Sequence, residues 1–371
     1  MNINRVTFIQ SLIGCLLLIG LLLPAQSVHA RVTGEESPVP VLAYYYIWFD
    51  SNSWVRAKTD YPILGKYTSD DRTVMVQHIK WAKEAGIDGF IVSWKSTETL
   101  NRRLKQLVEV AAEESFKLVI IYQGLDFDRN PLPVSRIAND LDEFINLYEN
   151  NSVFHLFAKP VVIWSGTWMF SPEDIAFVTE NRRDRLQILA TEKSVEGYIR
   201  VANLFDGNAY YWSSVNPDTF PGYLEKLVGM SDAVHENGGL WIPSAAPGFD
   251  ARLVGGSSIV ERKEGETFRI QINTAMGSSP DALGIISWNE FSENSHIEPS
   301  QNNGSHSLNV LSDINHLPAI QISDFDSSDP TGTFTEVFTA SRIAALGGLV
   351  ILILVGFVSL ALRQTRAIET K

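Results

Sequence analysis

Short apolar runs rich in β-branched and aromatic residues recur along most of this 371-residue chain. They are nearly continuously apolar, which is typical of parallel strands that are buried on both faces. We predict strands at Val39–Tyr46, Gly89–Trp94, Leu118–Gln123, Pro160–Trp164, Gln187–Ala190, Ala209–Trp212, Leu240–Pro243 and Gly284–Trp288.

Helical patterns separate most of these runs. In Thr97–Glu114, for example, Leu100, Leu104, Leu107 and Ala111 recur at helical spacing. Comparable patterns occur at Thr73–Ala85, Arg136–Tyr148, Pro172–Glu180, Pro221–Glu236 and Thr267–Ala275. Alternating strands and helices predict an α/β fold with a parallel sheet, and this number of strands favours a (β/α)8 TIM barrel. An open doubly wound sheet is the alternative.

The first 30 residues have the order of a secretory signal peptide. Arg5 precedes an apolar run from Leu12 to Leu23, and the short-side-chain site Val28-His29-Ala30 follows. An N-terminal membrane anchor is the alternative, although the apolar run is short for a full span.

Near the other end, Ile343–Leu362 forms 20 residues without a charge, which is enough for one transmembrane helix. Arg363, Arg366 and Lys371 follow it, so the tail 363–371 is expected in the cytoplasm and the body outside the cell membrane. Residues 31–316 then form the barrel domain, and 317–342 form a polar stalk.

Composition narrows the functional classes. The formal net charge is −13, which argues against a nucleic-acid partner and favours a neutral substrate over a polyanion. The only cysteine, Cys15, lies in the signal segment, and no histidine spacing indicates a metal site. We therefore expect no metal and no cofactor.

The predicted strand ends carry many aromatic and polar side chains. Active sites of TIM barrels lie at these ends, and sugar rings bind well to aromatic faces with polar neighbours. Taken singly, each aromatic could equally be a core residue. The candidates for substrate binding are Tyr45, Tyr46, Trp48, Trp94, Lys95, Gln123, Trp164, Tyr211, Trp212, Trp288 and Asn289.

Two carboxylates, Glu290 and Glu293, directly follow the last predicted strand. Glycoside hydrolysis uses such a pair, and their proximity would separate their pKa values into those of an acid and a base. The spacing alone is common on surface helices, but its place after an apolar strand favours a catalytic role.

The segment Asn289–Pro299 resembles the Asn-Glu-Trp-His-Glu-Gly-Thr-Gln-Ile-Glu-Pro motif of glycoside hydrolase family 99, the endo-α-mannosidases and endo-α-mannanases. Three further stretches are similar to that family in the same order, so that the resemblance spans roughly Val39 to Ser300. They are Tyr44–Trp48, Leu64–Asp71 with Ala85–Trp94, and Pro247–Asp250.

This resemblance implies a barrel that cleaves α-mannosides within a glycan chain, with retention of configuration and without a metal. It implies that Glu290 deprotonates the substrate's own 2-hydroxyl to form a 1,2-anhydro sugar, and that Glu293 is the general acid/base. His296 and Glu298, which lie within the motif, join the candidates for substrate binding.

The chain departs from the family motif at Phe291, Ser292 and Asn294, and it has Gln123 where the family tends to offer a carboxylate. A glycosyltransferase-like family of polysaccharide assembly is also similar around an Asn-Glu-Trp-x-Glu segment. That enzyme class and a non-catalytic surface glycan-binding module are the alternatives to an endo-glycosidase.

Overall fold

The computed structural model describes residues 38–56, 58–320 and 322. The predicted signal peptide, the predicted membrane helix Ile343–Leu362 and the cytoplasmic tail lie outside these residues. Among the helices that are described, none combines the length and the apolar character that a membrane span requires.

The strands of the described body are short, as their apolar runs predict. In chain order they are β1 (Val41–Tyr46), β2 (Gly89–Trp94), β3 (Lys117–Gln123), β4 (Val161–Ser165), β5 (Gln187–Leu189), β6 (Gly207–Ala209), β7 (Leu240–Ile242), β8 (Ser244–Ala245), β9 (Phe249–Asp250), β10 (Ile259–Val260) and β11 (Leu283–Ile285).

Parallel pairing runs from strand to strand around a curled sheet. One sheet has the order β5-β4-β3-β2-β1-β11-β8, and β6 pairs in parallel with β7. A parallel bridge between Ala190 and Asn208 joins the end of β5 to β6. Only Pro243 separates β7 from β8. This ring of pairs is that of a barrel, so the open doubly wound sheet is excluded.

Helices cover the outside of the sheet. They are α1 (Arg72–Glu84), α2 (Glu98–Glu113), α3 (Val134–Tyr148), α4 (Pro172–Thr179), α5 (Val195–Ile199), α6 (Tyr223–Glu236), α7 (Glu266–Met276) and α8 (His306–Ile314). Local capping sets several of their first residues. The Thr97 hydroxyl accepts from the Leu100 N–H at 3.3 Å to begin α2, and Ser171 caps α4 just before Pro172.

The alternation of side chains along the strands produces two apolar layers. One layer fills the barrel interior and includes Leu42, Tyr44, Ile91 and Ile163. The other packs between barrel and helices and includes Tyr45, Trp94 and Trp288. Full burial of an aliphatic side chain contributes about 1.5–3 kcal/mol, so both layers stabilise the fold.

Some boundaries differ from the sequence prediction. The sixth strand was expected at Ala209–Trp212, yet Tyr210, Tyr211 and Trp212 lie beyond the strand, in the connection that follows it. The Tyr210 N–H still donates to the Ile242 carbonyl at 2.8 Å, so the run leaves the regular strand just after a last backbone bond to β7. Packing also continues past His316, because Ile320 is buried and its N–H donates to Asn309 Oδ1 at 2.8 Å.

Candidate active site

The segment after β11 carries Glu290 and Glu293 across the end of the barrel. The Trp288 N–H donates to the Tyr44 carbonyl at 2.7 Å, and the Glu290 N–H donates to Ser287 Oγ at 2.8 Å. Asn289 fastens the segment to the end of β1, because its side chain accepts from Tyr46 N at 2.9 Å and donates to Tyr46 O at 3.0 Å. The backbone of both carboxylates is therefore held on a rigid element.

Burial and mutual repulsion alter the ionisation of this pair. Burial, followed by the nearby charge of Glu293, raises the pKa of Glu290 to about 7. The Ser292 N–H donates to Glu290 Oε1 at 3.0 Å, and it opposes that rise together with the Lys58 charge. Burial also raises the pKa of Glu293, and Arg129 opposes the rise. Glu290 can therefore exchange a proton near neutral pH.

Two adjoining cavities, of about 540 and 560 Å³, flank the carboxylates. They share Trp48, Phe127, Glu290 and Glu293, and we call them together the cleft. The remaining lining comes from loops that follow several different strands. It includes Tyr46, Gln123, Arg129, Trp168, Lys193, Tyr211, Trp212 and Phe249 on one side, and Asp50, Arg56, Lys58 and Ser292 on the other.

Four of the predicted aromatic residues line the cleft. Trp48 is 41% exposed and stacks on Tyr46, with ring centroids 4.3 Å apart. The hydroxyls of Tyr46 and Tyr211 are hydrogen-bonded at 2.6 Å. Trp212 lies opposite, with the Lys193 ammonium 4.7 Å from its ring centroid. These flat surfaces beside polar groups suit sugar rings.

Four other predicted aromatics are not brought to the cleft. Tyr45, Trp94, Trp164 and Trp288 are almost fully buried in the layer between barrel and helices. Successive strand residues point to opposite faces, so neighbours of cleft residues turn away from it. The Trp94 indole donates to Asn101 Oδ1 at 2.9 Å, for example, and packs against Tyr122 and Phe144. These positions correct the expectation that these four contact substrate.

The polar candidates Asn289, His296 and Glu298 lie beneath the cleft. Glu298 is 1% exposed and accepts from the Tyr67 hydroxyl at 2.8 Å. Its other oxygen lies 3.0 Å from His78 Nε2, while His78 Nδ1 lies 3.0 Å from the Tyr45 hydroxyl. These side chains hold the segment after β11 in place, so they support the site and do not line it.

His296 belongs to a neighbouring buried pair. Its Nε2 lies 3.2 Å from Asp60 Oδ2, and its ring stacks on Phe291 with centroids 4.1 Å apart. Burial lowers the pKa of His296 to about 4, so the ring is neutral at physiological pH. A neutral imidazole in this position supports the backbone between Glu293 and Glu298.

Gln123 and Lys95 occupy the mouth of the barrel. Gln123 lines the cleft and donates to Ser93 Oγ at 3.0 Å. The Lys95 ammonium lies 5.4 Å from the centroid of the Phe127 ring, at the rim.

Within the part of the chain that the structure describes, no group of three or more His, Cys, Asp or Glu side chains is arranged to hold a metal ion.

Comparison with known proteins decides the family. The sequence profile of glycosyl hydrolase family 99 matches residues 49–320, well over half of the chain. The chain belongs to glycosyl hydrolase family 99.

Curated relatives in family 99 are distant. A glycoprotein endo-alpha-1,2-mannosidase-like protein of Mus musculus is 23% identical over 264 residues, which are 64% of this chain and 57% of the relative. The glycoprotein endo-alpha-1,2-mannosidase of Rattus norvegicus is 21% identical over 266 residues, which are 64% of this chain and 56% of the relative. The chain thus spans little more than half the length of these curated relatives.

A solved structure shares the fold. The GH99 endo-alpha-mannosidase from Bacteroides thetaiotaomicron superposes with a TM-score of 0.61 and 20% identity, covering 71% of this chain and 87% of that one. At this identity the similarity shows the barrel fold alone.

The departures from the family 99 motif have local physical explanations. Phe291 is fully buried between His296 and Trp54, where an aromatic ring is required. Ser292 contacts Glu290 through its backbone N–H, and its side chain also forms a hydrogen bond that lowers the Glu290 pKa. Asn294 has a φ of 51°, and asparagine tolerates this left-handed conformation better than most residues when it replaces glycine.

Sequence reasoning missed the cleft residues that come from loops. Phe127, which is fully exposed, and Arg129 lie on the loop after β3. Asp126 shapes this loop by accepting from the N–H groups of Asp128 and Asn130 at 2.9 and 2.8 Å. An Asx turn at Asp126 was the available signal, but loop sequences alone do not tell which cleft they reach.

Proposed function

We propose that this protein is a retaining, endo-acting glycoside hydrolase for glycans that contain α-mannosides. The observation that carries the proposal is the Glu290–Glu293 pair, which lies with raised pKa values between two aromatic cavities in a family 99 barrel. A carboxylate pair of this kind at the ends of barrel strands is the usual apparatus of glycosidic cleavage.

In the proposed first step, Glu290 removes the proton from the 2-hydroxyl of the mannosyl residue, and that oxygen attacks C1. Glu293 gives its proton to the leaving glycosidic oxygen, so the bond breaks and a 1,2-anhydro sugar forms. In the second step Glu293 takes a proton from water as the water adds to C1, and Glu290 returns its proton to the 2-oxygen. Two inversions give net retention.

The surroundings of the pair support this division of roles. Glu290 receives the Ser292 N–H and lies near Lys58, two features that favour its ionised form. Both carboxylates line both cavities, so each can reach a mannosyl unit bound between them, and the assignment of the acid/base to Glu293 follows the family motif. The name of the Bacteroides thetaiotaomicron structure, an endo-alpha-mannosidase, and those of the curated relatives favour mannose as the sugar.

Cleavage within a chain is favoured by the shape of the cleft. Cavities extend on both sides of Glu290 and Glu293, and aromatic side chains line each of them. A substrate can therefore place sugar units on both sides of the bond that is cleaved, whereas an exo-acting enzyme closes one side.

The test is hydrolysis by the full chain of an α-mannotetraose that is labelled at its reducing end. NMR follows the anomeric protons of the new reducing end that cleavage creates. We expect internal cleavage with the α-anomer formed first and no requirement for an activated sugar donor. A β-anomer as first product would contradict retention. Turnover only with an activated donor would favour the glycosyltransferase alternative, and sugar binding without turnover would favour the non-catalytic module.

The cell membrane is the proposed location, with residues 343–362 as a single span and the barrel outside. This proposal depends on the uncharged 20-residue run and the basic residues that follow it. Protease treatment of intact cells should remove the barrel and spare a tag placed after Lys371. Release of the whole chain by a high-salt wash would contradict the anchor.

A further inference from the structure

A third cavity adjoins the two cavities of the cleft, beyond Trp212. It measures about 470 Å³ and shares Lys193, Trp212 and Ser214 with the cleft. Its charged lining consists of two lysines, Lys193 and Lys226, and no acidic residue. We call it the lysine cavity. In a chain with a formal net charge of −13, a cavity lined only by cations is unexpected.

Neither ammonium group forms a direct ion pair with a carboxylate of the described residues. The Lys193 Nζ lies 3.7 Å from the Trp168 ring centroid, and the Lys226 Nζ lies 5.2 Å from that of Tyr210. No ion pair or hydrogen bond joins either one to another described residue. Glu192, next to Lys193 in the chain, is paired with Arg200 at 3.3 Å.

A nearby lysine shows the contrast. Lys263 lies close to the same region and forms an ion pair with Asp218. The two lysines of the lysine cavity therefore differ from Lys263 in having no carboxylate partner. Cation–π contacts of about 0.5–2 kcal/mol hold the ammonium groups in place without consuming their charge.

The two lysines also influence each other. Burial lowers the pKa of Lys193, the charges of Arg129 and Lys226 lower it further, and the charge of Glu192 opposes this shift. Burial likewise lowers the pKa of Lys226. Partly desolvated cations held near one another are unfavourable alone, and an anion placed between them would relieve both the repulsion and the loss of solvent.

Neutral donors complete the cavity wall. Ser214, Asn216, Thr219 and Ser258 contribute hydroxyl and amide groups, while Trp212 and Phe220 provide apolar faces. This mixture fits a sugar ring that carries a compact anion. The acidic overall composition favours a neutral substrate, whereas the two lysines of the lysine cavity favour an anionic group on it.

We propose that the lysine cavity binds an anionic substituent of the glycan, namely a sulfate, phosphate or carboxylate on a sugar unit beyond the cleaved bond. The proposal rests on the proposed function, since the cavity shares Trp212 and Lys193 with the cleft. The anion is bound between Lys193 and Lys226, so both lysines determine substrate specificity without taking part in proton transfer.

Calorimetric binding tests this proposal without requiring turnover. The full chain with Glu293→Gln would be titrated with neutral α-mannotetraose and with its 6-O-sulfated, 6-phosphorylated and uronic-acid-ended counterparts. We expect at least one anionic probe to bind about 10-fold or more tightly than the neutral one, a ratio that higher salt reduces. The probe that is preferred identifies the anion.

Variants of the lysines provide the decisive comparison. In Lys193→Met and in Lys226→Met the affinity ratio of anionic to neutral probe should fall to about 1, whereas the matched surface variant Lys105→Met should keep it. A ratio is unaffected by partial unfolding, and Lys226→Gln offers a second variant. Equal affinity for all probes, or a ratio that survives both lysine changes, would overturn the proposal. Absence of hydrolysis by the wild-type chain, together with an intact affinity ratio, would refute only the proposed function.

Discussion

Two sets of carboxylates lie in or against the segment after β11, and their surroundings differ. The first set is Glu290 and Glu293, and the second is Glu298 and Asp60. Glu290 and Glu293 face the cleft, and the hydrogen bonds to the Glu290 carboxylate come from Ser292 alone among the described residues. Glu298 is enclosed and accepts from the Tyr67 hydroxyl and His78. Asp60 accepts hydrogen bonds from Asn303 Nδ2 at 2.7 Å and from the Asn302 N–H at 2.9 Å, and it also contacts His296.

The difference shows how the surroundings of a buried carboxylate set its pKa. Burial alone would raise the pKa of Asp60, but the hydrogen bonds from His296, Ser300 and Asn302 outweigh it and hold that pKa well below its usual range. Glu290 is also buried but has fewer donors, so burial prevails and its pKa rises. Hydrogen-bond donors prevail at Asp60, whereas burial and the nearby charge of Glu293 prevail at Glu290, and the two pKa values move in opposite directions.

The largest expected effect is on the structural set. Glu298→Ala leaves the Tyr67 hydroxyl and His78 buried without their acceptor, which should lower the free energy of unfolding by about 3 kcal/mol. Urea denaturation measures this loss. Glu109→Ala, an exposed change on α2, is the control and should cost less than about 0.5 kcal/mol. Equal urea midpoints for the two variants would show that Glu298 does not stabilise the fold.

Glu290→Gln should have the opposite effect, with a dependence on pH. Because the folded-state pKa of Glu290 is raised to about 7, the folded protein holds a proton that the unfolded chain releases. Stability from this group is therefore present at low pH and is lost as the pH rises through 7. The variant should gain about 1–3 kcal/mol over wild type at pH 8 and little at pH 4.

Thermal unfolding at several pH values measures this gain. Removal of the charged form is what stabilises the variant, so the difference must grow with pH. A gain that is constant with pH, or a loss at pH 8, would show that Glu290 is not held with a raised pKa.

A change in the aromatic wall of the cleft should lower the affinity for glycan and leave the free energy of unfolding nearly unchanged. Trp48→Ala removes a partly exposed ring that stacks on Tyr46. We expect α-mannotetraose to bind about 5- to 30-fold more weakly, as for the loss of about 1–2 kcal/mol of sugar contact. Calorimetry measures it, with the exposed Phe177→Ala on α4 as control. Unaltered affinity would remove Trp48 from the binding surface.

The smallest expected effect concerns Lys58, whose charge lowers the pKa of Glu290. If Glu290 acts as the base, kcat/KM rises with pH through its pKa. Lys58→Met should move this acidic limb upward by less than about one pH unit. Lys105→Met should not move it. A downward movement would show that the limb belongs to another group.

Much of the fold was predictable because buried parallel strands have a simple signature. Continuous apolar runs such as Phe90–Val92 and Val119–Ile121 have no surface-facing position, and helices with one apolar face separate them. The short helix α5 (Val195–Ile199) was not predicted, since five residues are too few to establish a helical period. Elements held by tertiary packing leave a weaker local signal.

The site was predictable in part. Glu290 and Glu293 were found because a motif follows a strand, and the cleft positions of Tyr46, Trp48 and Tyr211 followed from strand ends. Their neighbours Trp94 and Trp164 point the other way, and runs that are apolar on both faces do not reveal which alternate residues face inward. Arg129 and Lys193 come from distant loops, whose meeting depends on the closed barrel.

Hydrolysis of unactivated α-mannotetraose by the folded Glu293→Gln protein tests the central claim most directly. If Glu293 protonates the leaving oxygen, the rate per folded molecule should fall at least about 100-fold, while binding of the tetraose persists. Glu298→Gln, measured in the same way, should lower the free energy of unfolding but leave most of the activity per folded molecule. Turnover at the wild-type rate by folded Glu293→Gln would contradict the account.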